Sequence, residues 1–383
     1  MPITRSLSNG NAVTDWTVEV NEIDNQYGMV NASGLFSSTG TSQESLIFDK
    51  NLVTRTLIPQ SSKRGGEHSK GKDRKSETYA VALPYFNHQD YVTPQDIQGW
   101  RQVGTPDQPK LLANAIADKW EDMRADFDQT KEYMKCRALT GQTVDPQGVA
   151  IADMFSVLGL TGAKARNGAD SIIDFDLGNA SADIDGTIAR LKRKVAKEAK
   201  TGGRIGRIEI MVTPEFFDRL VNHPKLREAY LYYSAPANSD TIRGDLQKFE
   251  AWGVVDTFVH KGMMFYSYDA EFNIEDSAGD VQSVTPFQFL NGTSIVDDFS
   301  TATIGSTAVS GEGGYTIVNG MTGAYRGYFG PANTLSGANS IGSEVMAYQY
   351  RDPKDKFHEL ELESAPLYML MQPQLSVKVY TSS

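Results

Sequence analysis

The stretch 109–141, PKLLANAIADKWEDMRADFDQTKEYMKCRALTG, carries the longest uninterrupted helical pattern in the chain. Apolar side chains recur there at steps of three and four residues, from Leu112 through Trp120 to Met134, and form one stripe along a helix, with charged residues opposite. Acidic residues precede most of the basic ones, an order that the helix dipole favours. We therefore predict a spine helix over 109–140, about 45 Å long at ~1.5 Å per residue, around which the other segments are arranged.

The composition of the 383-residue chain sets limits on its class. A hydrophobic content of 40% and this length are sufficient for two or three domains with buried cores. The 48 acidic and 37 basic residues give a net charge of -11, which argues against a sequence-specific nucleic-acid binder with a broad basic face. The single cysteine, Cys136, excludes an intrachain disulfide and favours a reducing compartment. Because the sequence shows neither a signal peptide nor a run of about 18 apolar residues, we expect a soluble protein without membrane contact.

The N-terminal segment, residues 1–49, is polar and rich in Asn, Ser and Thr. It carries only scattered apolar side chains, such as Trp16, Tyr27 and Phe36. A segment of this composition does not form a core alone. We predict an N-terminal arm that folds onto adjacent copies of the chain.

A strongly basic sequence follows the arm. Two β-like runs, LVTRTLIP at 52–59 and ETYAVALPYF at 77–86, flank SSKRGGEHSKGKDRKS at 61–76, which predicts an extended β-hairpin loop over 50–87. The tip is either a solvated, flexible connection or, because the chain is acidic overall, a contact for an acidic patch on a second copy. Under the second interpretation, the contact residues at the loop tip are Lys63, Arg64, Lys70, Lys72, Arg74 and Lys75.

A second helical pattern begins at Asp183 and continues to about Lys200. Ile188, Leu191 and Val195 face inward, while basic side chains face outward. Such a basic face is a solvated surface, an ion-pairing surface at a subunit boundary or a nonspecific contact for DNA phosphates. The residues concerned in the last two cases are Arg190, Arg193, Lys194 and Lys197.

The remaining segments predict strands and turns more often than helices. Strands and helices alternate after a composition break around 161–182, so we place a second domain at about 183–344. Within it, the glycine-rich stretch 291–342 predicts loops and short edge strands. Leucine alternates with glutamate in 359–363, which predicts a strand that returns to the first domain. The fold class is α+β.

Several short motifs occur in a fixed order along nearly the whole chain. In that order and spacing they resemble the lambda-type major capsid protein family of tailed bacteriophages, which has the Hong Kong 97 type fold. The motifs are YGMVNASGLFSSTGTSQESLIFD at 27–49, KRGG at 63–66, DYVTPQDIQGWR at 90–101, DQTKEYMKCRALTGQTVDPQGVAIAD at 128–153, SAPL at 364–367 and QP at 372–373.

The resemblance implies a shell-building protein without enzymatic activity or cofactor. Such chains self-assemble as hexamers and pentamers into the icosahedral head of a tailed phage and enclose the genome. The implied partners are further copies of the chain, portal and scaffolding proteins, decoration proteins in some members, and packaged double-stranded DNA held by nonspecific contact. The implied location is the virion, after assembly in the cytoplasm of the host bacterium.

The resemblance also implies a division of the chain into an arm, a loop and two domains. The glycine-rich stretch departs from the simplest family members and suggests an enlarged insertion in the second domain. The expected parts are the arm at 1–49, the extended loop at 50–87, a peripheral domain at 88–182 and 345–383 that contains the spine helix, and an axial domain at 183–344.

Two other functions are weighed against this one. A cellular nanocompartment shell would share the fold and enclose an enzyme as its cargo. DIDGT at 183–187 matches the signature of phosphotransferases that form an aspartyl phosphate, with Asp297 and Asp298 as their metal-binding pair. That chemistry requires the nucleophile at the end of a buried strand, whereas the preceding GNASA predicts a loop, so we expect Asp183 to cap the helix. Five isolated histidines and one cysteine argue against a zinc site.

Overall fold

The structure, a computed structural model, describes residues 3–6, 12–25, 27–52, 75–98, 111–199, 206–227, 254–304, 308–321, 323–335 and 337–382. Its fold is α+β, as predicted from the sequence. The α-helices include α1 (Thr17–Asn21), α2 (Met29–Ala32), α3 (Leu112–Leu139), α4 (Met154–Val157), α5 (Ile184–Glu198), α6 (Pro214–Asn222) and α7 (Thr301–Ile304).

The strands belong to two larger sheets and several small ones. They are β1 (Ile3–Ser6), β2 (Ala12–Asp15), β3 (Ser37–Gly40), β4 (Ser45–Leu52), β5 (Lys75–Ala82), β6 (Phe86–Val92), β7 (Gln142–Val144), β8 (Ala150–Asp153), β9 (Ile172–Asp174), β10 (Ile208–Val212), β11 (Val254–His260), β12 (Met263–Tyr268), β13 (Phe272–Glu275), β14 (Val281–Val284), β15 (Gln288–Asn291), β16 (Ser294–Asp297), β17 (Val309–Val318), β18 (Tyr325–Phe329), β19 (Met346–Arg351), β20 (His358–Ser364), β21 (Pro366–Leu370) and β22 (Lys378–Ser382).

The spine helix α3 confirms the prediction of one long helix, but it begins later than predicted, because Leu111 is extended and precedes the first helical residue, Leu112. The predicted start at 109 lies outside the described residues. It ends where Gly141 adopts a φ of +84°, and a Cβ at that position would lie 2.5 Å from the Phe155 ring. The expected charged outer face is wrong for the second half of the helix, because the rest of the fold encloses it. The buried charged residues begin with Arg124, just before this half, and each has polar contacts within the chain. They are Arg124, Asp128, Lys131, Glu132 and Arg137.

A five-stranded sheet covers the first half of the spine helix. Its strand order is β1-β2-β19-β20-β6, and all neighbouring strands are antiparallel. Leu360 and Leu362 of β20 pack in one core cluster with Trp120 and Phe127 of α3. The predicted alternation in β20 is therefore confirmed, with leucines toward the helix and glutamates on the other face.

A six-stranded mixed sheet forms the second large core. Its strand order is β11-β12-β10-β17-β22-β9, and every residue of β10 is buried. Phe216 of α6 and Leu191 of α5 belong to the same core cluster as Phe265 of β12. β9 and β22, which the expected boundaries assign to the peripheral domain, hydrogen-bond within this sheet.

The glycine-rich stretch differs from its prediction, because β17 is a central strand of the six-stranded sheet. Glycine is needed there, since a Cβ at Gly314 would lie 2.2 Å from the Met211 carbonyl oxygen and one at Gly313 would lie 2.3 Å from that of Val379. The apolar residues that follow, such as Tyr315 and Ile317, are buried. A glycine-rich composition here therefore reflects close strand packing.

The N-terminal arm also differs from its prediction over its described residues. Val20 packs in the cluster between α3 and the five-stranded sheet, and Met29, Val30 and Phe36 belong to the other large core cluster. These four side chains are almost fully buried, Trp16 and Tyr27 are partly buried against the same clusters, and Val18 is exposed. From residue 12 onward, the arm is therefore held by its own chain, and the expectation that it requires neighbouring copies is wrong for this part.

Candidate functional site

The predicted basic loop begins and ends in a described hairpin. β4 and β5 are antiparallel, and their last described pair is Leu52 with Lys75. The other predicted contact residues lie outside the described residues, and for Lys75 only the backbone is described. The residues outside are Lys63, Arg64, Lys70, Lys72 and Arg74.

The outer face of the five-stranded sheet is acidic. Glu359, Glu361 and Glu363 project from β20 on the side opposite to the leucines, and we call these three residues the glutamate stripe. Their hydrogen-bond donors are neutral: the Tyr91 hydroxyl for Glu359 at 3.4 Å, the Asn87 and Gln89 amides for Glu361 at 2.6 and 3.1 Å, and the Tyr85 hydroxyl for Glu363 at 2.7 Å. No lysine or arginine among the described residues forms an ion pair with the stripe.

Burial differs along the glutamate stripe. Glu363 is buried, which raises the pKa of its carboxyl group, and it also accepts a hydrogen bond from the backbone of Asn333. Glu359 and Glu361 are only half-buried. Two neighbouring carboxylates are thus reachable from outside without a cation of the described chain, which leaves a local excess of negative charge.

The predicted basic helix face is present on α5. Arg190, Arg193 and Lys197 are exposed along one stripe of the helix, as their spacing of three and four residues requires. Lys194 differs, because its ammonium group donates to the carbonyl oxygens of Ala169 at 3.1 Å and Ile172 at 3.2 Å, and burial lowers its pKa. Three of the four predicted side chains are therefore available to a partner.

A buried carboxylate on the spine helix holds the arm. Glu132 accepts hydrogen bonds from the backbone N–H groups of Val30 at 2.8 Å and Asn31 at 2.6 Å, which lie in the short arm helix α2. The Tyr268 hydroxyl donates to the same carboxylate at 2.7 Å. One side chain thus connects the arm, the spine helix and the six-stranded sheet. The polar helical pattern gave no indication that this glutamate is buried.

A second buried charged group lies at the C-terminal end of the spine helix. The Asp298 carboxylate accepts from Arg137 at 2.9 Å, from Arg166 at 3.0 Å and from the Tyr315 hydroxyl at 3.2 Å. Lys378 donates to the Asp298 backbone carbonyl at 2.8 Å. We call these five residues the Asp298 cluster. The neighbouring cations hold the pKa of Asp298 well below its usual range, although burial alone would raise it.

The geometry around Asp183 and Asp298 supports structural roles. The Asp183 carboxylate accepts from the backbone N–H of Gly186 at 2.9 Å, so it caps α5 as expected. Asp298 is occupied by ion pairs with arginines and therefore does not form the acidic metal pair that the signature requires. Among the described residues, no group of three or more His, Cys, Asp and Glu side chains is arranged to hold a metal ion.

No described helix has the length and apolar character needed to span a bilayer.

The described chain thus combines an α+β fold with an acidic stripe on β20 and a basic face on α5, and its buried carboxylates serve structural contacts. The sequence profile of the phage major capsid protein E family matches residues 12–381. A major capsid protein of Salmonella phage Felix O1 is 29% identical over 383 residues, covering 98% of each chain, and one of Pseudomonas phage KPP10 is 27% identical over 379 residues, covering 97% of each. The crystal structure of a protein assigned as a prophage capsid protein of Escherichia coli CFT073 matches with a TM-score of 0.53 at 11% identity, over 100% of both chains.

The chain therefore belongs to the phage major capsid protein E family. It is a major capsid protein of a tailed phage, the subunit of an icosahedral capsid and a component of the virion. The expected family and the Hong Kong 97 type fold are confirmed. The family assignment favours a phage head over a cellular nanocompartment.

Proposed function

We propose that this subunit assembles as hexamers and pentamers and that the basic loop of one copy binds the glutamate stripe of its neighbour. The observation that carries the proposal is the stripe itself, which has accessible carboxylates and no described cation. The same chain supplies the complementary charge between β4 and β5. Opposite charges on two surfaces of one subunit favour ordered self-association and set its register.

The spacing of the charges supports this pairing. Alternate residues on a strand lie about 6.8 Å apart on one face, so Glu359 and Glu361 present carboxylates at that interval. Lys70, Lys72 and Arg74 also alternate in the sequence. An extended segment with this pattern would present its cations at the same interval as the carboxylates. We therefore propose that loop residues 70–74 lie along β20 of the neighbouring copy.

Neutralising Lys70, Lys72, Arg74 and Lys75 to glutamine together is expected to weaken assembly. Exposed ion pairs contribute about 0.2 to 1 kcal/mol each, so the loss of four should lower the association constant at each contact by between about fourfold and several hundredfold. Shell yield is measured by sedimentation and electron microscopy of the expressed protein. The matched control neutralises Lys225, Arg227, Lys354 and Lys356, which are four exposed cations outside the loop, and should leave the yield unchanged.

A charge swap tests the partner surface. Glutamates in place of the four loop cations should abolish assembly, and the further changes Glu359→Lys and Glu361→Lys should restore it. Restoration requires that the two surfaces meet, because each change alone only adds repulsion. If the variant with both sets of changes stays unassembled while the loop variant and the Glu359→Lys, Glu361→Lys variant remain folded, the loop binds elsewhere.

We also propose the remaining parts of the assembly. The chain would be divided into the arm at 1–49, the loop at 50–87, a peripheral domain at 88–182 and 345–383, and an axial domain at 183–344. The two domains would rearrange as rigid bodies, with bending of the spine helix, when the shell expands around the packaged genome. β9 and β22 would then anchor the peripheral segments in the axial sheet. Portal, scaffolding and decoration proteins would complete the head in the host cytoplasm, and the subunit would have no catalytic role, in keeping with Asp183 as a helix cap.

The exposed face of α5 is proposed to contact packaged DNA through phosphate groups. Changing Arg190, Arg193 and Lys197 to glutamine should reduce the salt dependence of DNA binding, with the slope of log K against log salt falling by up to about 0.9 per contact. Filter binding of duplex DNA across a salt series measures the slope. Lys194→Gln is the control on the same helix, since its ammonium group is used within the chain. Normal DNA binding with impaired shell assembly would instead assign the face to a subunit boundary.

A further inference from the structure

One edge of a buried guanidinium in the Asp298 cluster has no described acceptor. Arg137 is fully buried, and its Nη1 donates to Asp298. Its Nε and Nη2 are both buried, and no described residue accepts a hydrogen bond from either. These two N–H groups are parallel and form the edge with which arginine binds a single acceptor or a carboxylate. Buried donors are almost always paired, so this edge requires an acceptor.

The charges of the cluster indicate the sign of that acceptor. Arg137, Arg166 and Lys378 supply three positive charges, and Asp298 supplies one negative charge. The half-buried Asp297 adds a second negative charge nearby, which still leaves an excess of one positive charge. Burial lowers the pKa of Lys378 to about 8, so most of this ammonium remains charged at neutral pH. An uncompensated buried charge is strongly unfavourable.

A second arginine also has a buried donor without a described acceptor. Nε of Arg166 is buried without a described acceptor, while its other nitrogens contact Gln142, Thr140 and Asp298. Both guanidinium groups donate to the same carboxylate, so their donors lie within one small region. The third cation, Lys378, donates to Asn167 at 3.0 Å and to the Asp298 backbone.

We propose that the Asp298 cluster binds a small monovalent anion of the chloride type at the free edge of Arg137. The anion would accept hydrogen bonds from Nε and Nη2 and would neutralise the excess charge. A water molecule could satisfy the two donors but not the charge. The site joins the end of the spine helix, the segment around 166 and β22, so a bound anion would stabilise the contact of the spine helix with the six-stranded sheet.

The proposal is tested by melting the purified full-length protein in chloride at constant pH and ionic strength, with gluconate as the balancing anion that is too large to enter. Once the site begins to fill, each tenfold rise in chloride should raise the melting midpoint by about 2 °C, since stability then increases with the logarithm of ligand concentration. Bromide should act like chloride. Equal midpoints in chloride and gluconate would overturn the proposal.

Two variants and one diffraction measurement localise the effect. Arg137→Lys keeps the charge but removes the two-donor edge, so the chloride increment should disappear, and Arg166→Lys is the second variant in case the first does not fold. Lys164→Gln, which removes an exposed cation on the same segment, should retain the increment. Anomalous scattering from bromide should give a peak within hydrogen-bonding distance of Arg137 Nε and Nη2. A peak without anomalous signal would identify water and contradict the proposal.

Discussion

Replacing Asp298 with asparagine is expected to lower the free energy of unfolding of the unassembled subunit by about 3 to 5 kcal/mol. The change leaves Arg137, Arg166 and Lys378 without their shared carboxylate, and two of these three cations are almost completely buried. Removal of one partner from a buried ion pair costs more than the pair itself contributes, because the remaining charge has lost its solvation. Urea unfolding followed by circular dichroism measures the difference.

The control for this prediction is Asp280→Asn. Asp280 is an exposed aspartate, so its replacement should change stability by no more than about 0.5 kcal/mol. A loss at Asp298 as small as that at Asp280 would show that the cluster contributes nothing to the contact between the spine helix and the six-stranded sheet. The expected gap in unfolding free energy between the Asp298 and Asp280 variants exceeds the few tenths of a kcal/mol by which a change in the denatured state usually alters such a comparison.

The same cluster predicts part of the acid denaturation of the subunit. The pKa of Asp298 in the folded state is lower than its ordinary value of 3.8, so the folded state binds this proton more weakly than the unfolded state. Its contribution is therefore fully present above pH 3.8 and is lost as the pH falls through the folded pKa. The contribution of Glu132 to stability depends on pH in the opposite direction. Burial raises the pKa of its carboxyl group above 4.5, so this contribution declines as the pH rises above that value.

The sequence was informative where the pattern of side chains is set by backbone geometry. The spine helix and the alternation in β20 both follow from the periodicity of apolar side chains, and both are present. The helix cap at Asp183 followed from the same local physics. These features depend on neighbours within a few residues, which a sequence displays directly.

The sequence was uninformative where long-range contacts decide the environment of a side chain. Glu132 and Arg137 look like ordinary helical surface charges, yet partners 102 and 161 residues away bury them. The glycines of β17 resemble a loop because only the neighbouring strands β10 and β22 reveal why Cβ atoms are excluded there. The periodicity of apolar residues along a helix does not show whether its charged residues are buried or exposed.

The second large effect is expected at Glu132, the residue that holds the arm. Glu132→Gln should lower the free energy of unfolding by about 2 to 4 kcal/mol, because hydrogen bonds to a charged acceptor are replaced and one donor is left buried without a partner. The glutamine amide would place an N–H group against Val30 N–H, Asn31 N–H or the Tyr268 hydroxyl. Glu121→Gln, an exposed position on the same helix, is the matched control.

This loss should be concentrated in the arm, which separates it from a general loss of stability. Hydrogen exchange of amides in 17–36 should become faster in the Glu132 variant, while the amides of β10 keep their protection, because local opening releases α2 without disturbing the six-stranded sheet. Gly28→Ala should give the same local pattern, since its φ is +93° and a Cβ would lie 2.2 Å from Glu132 Cδ. Because both changes act on one contact, the double variant should be less destabilised than the sum of the two. Additive losses, or exchange in the arm no faster than in the wild type, would mean that Glu132 does not hold the arm to the spine helix.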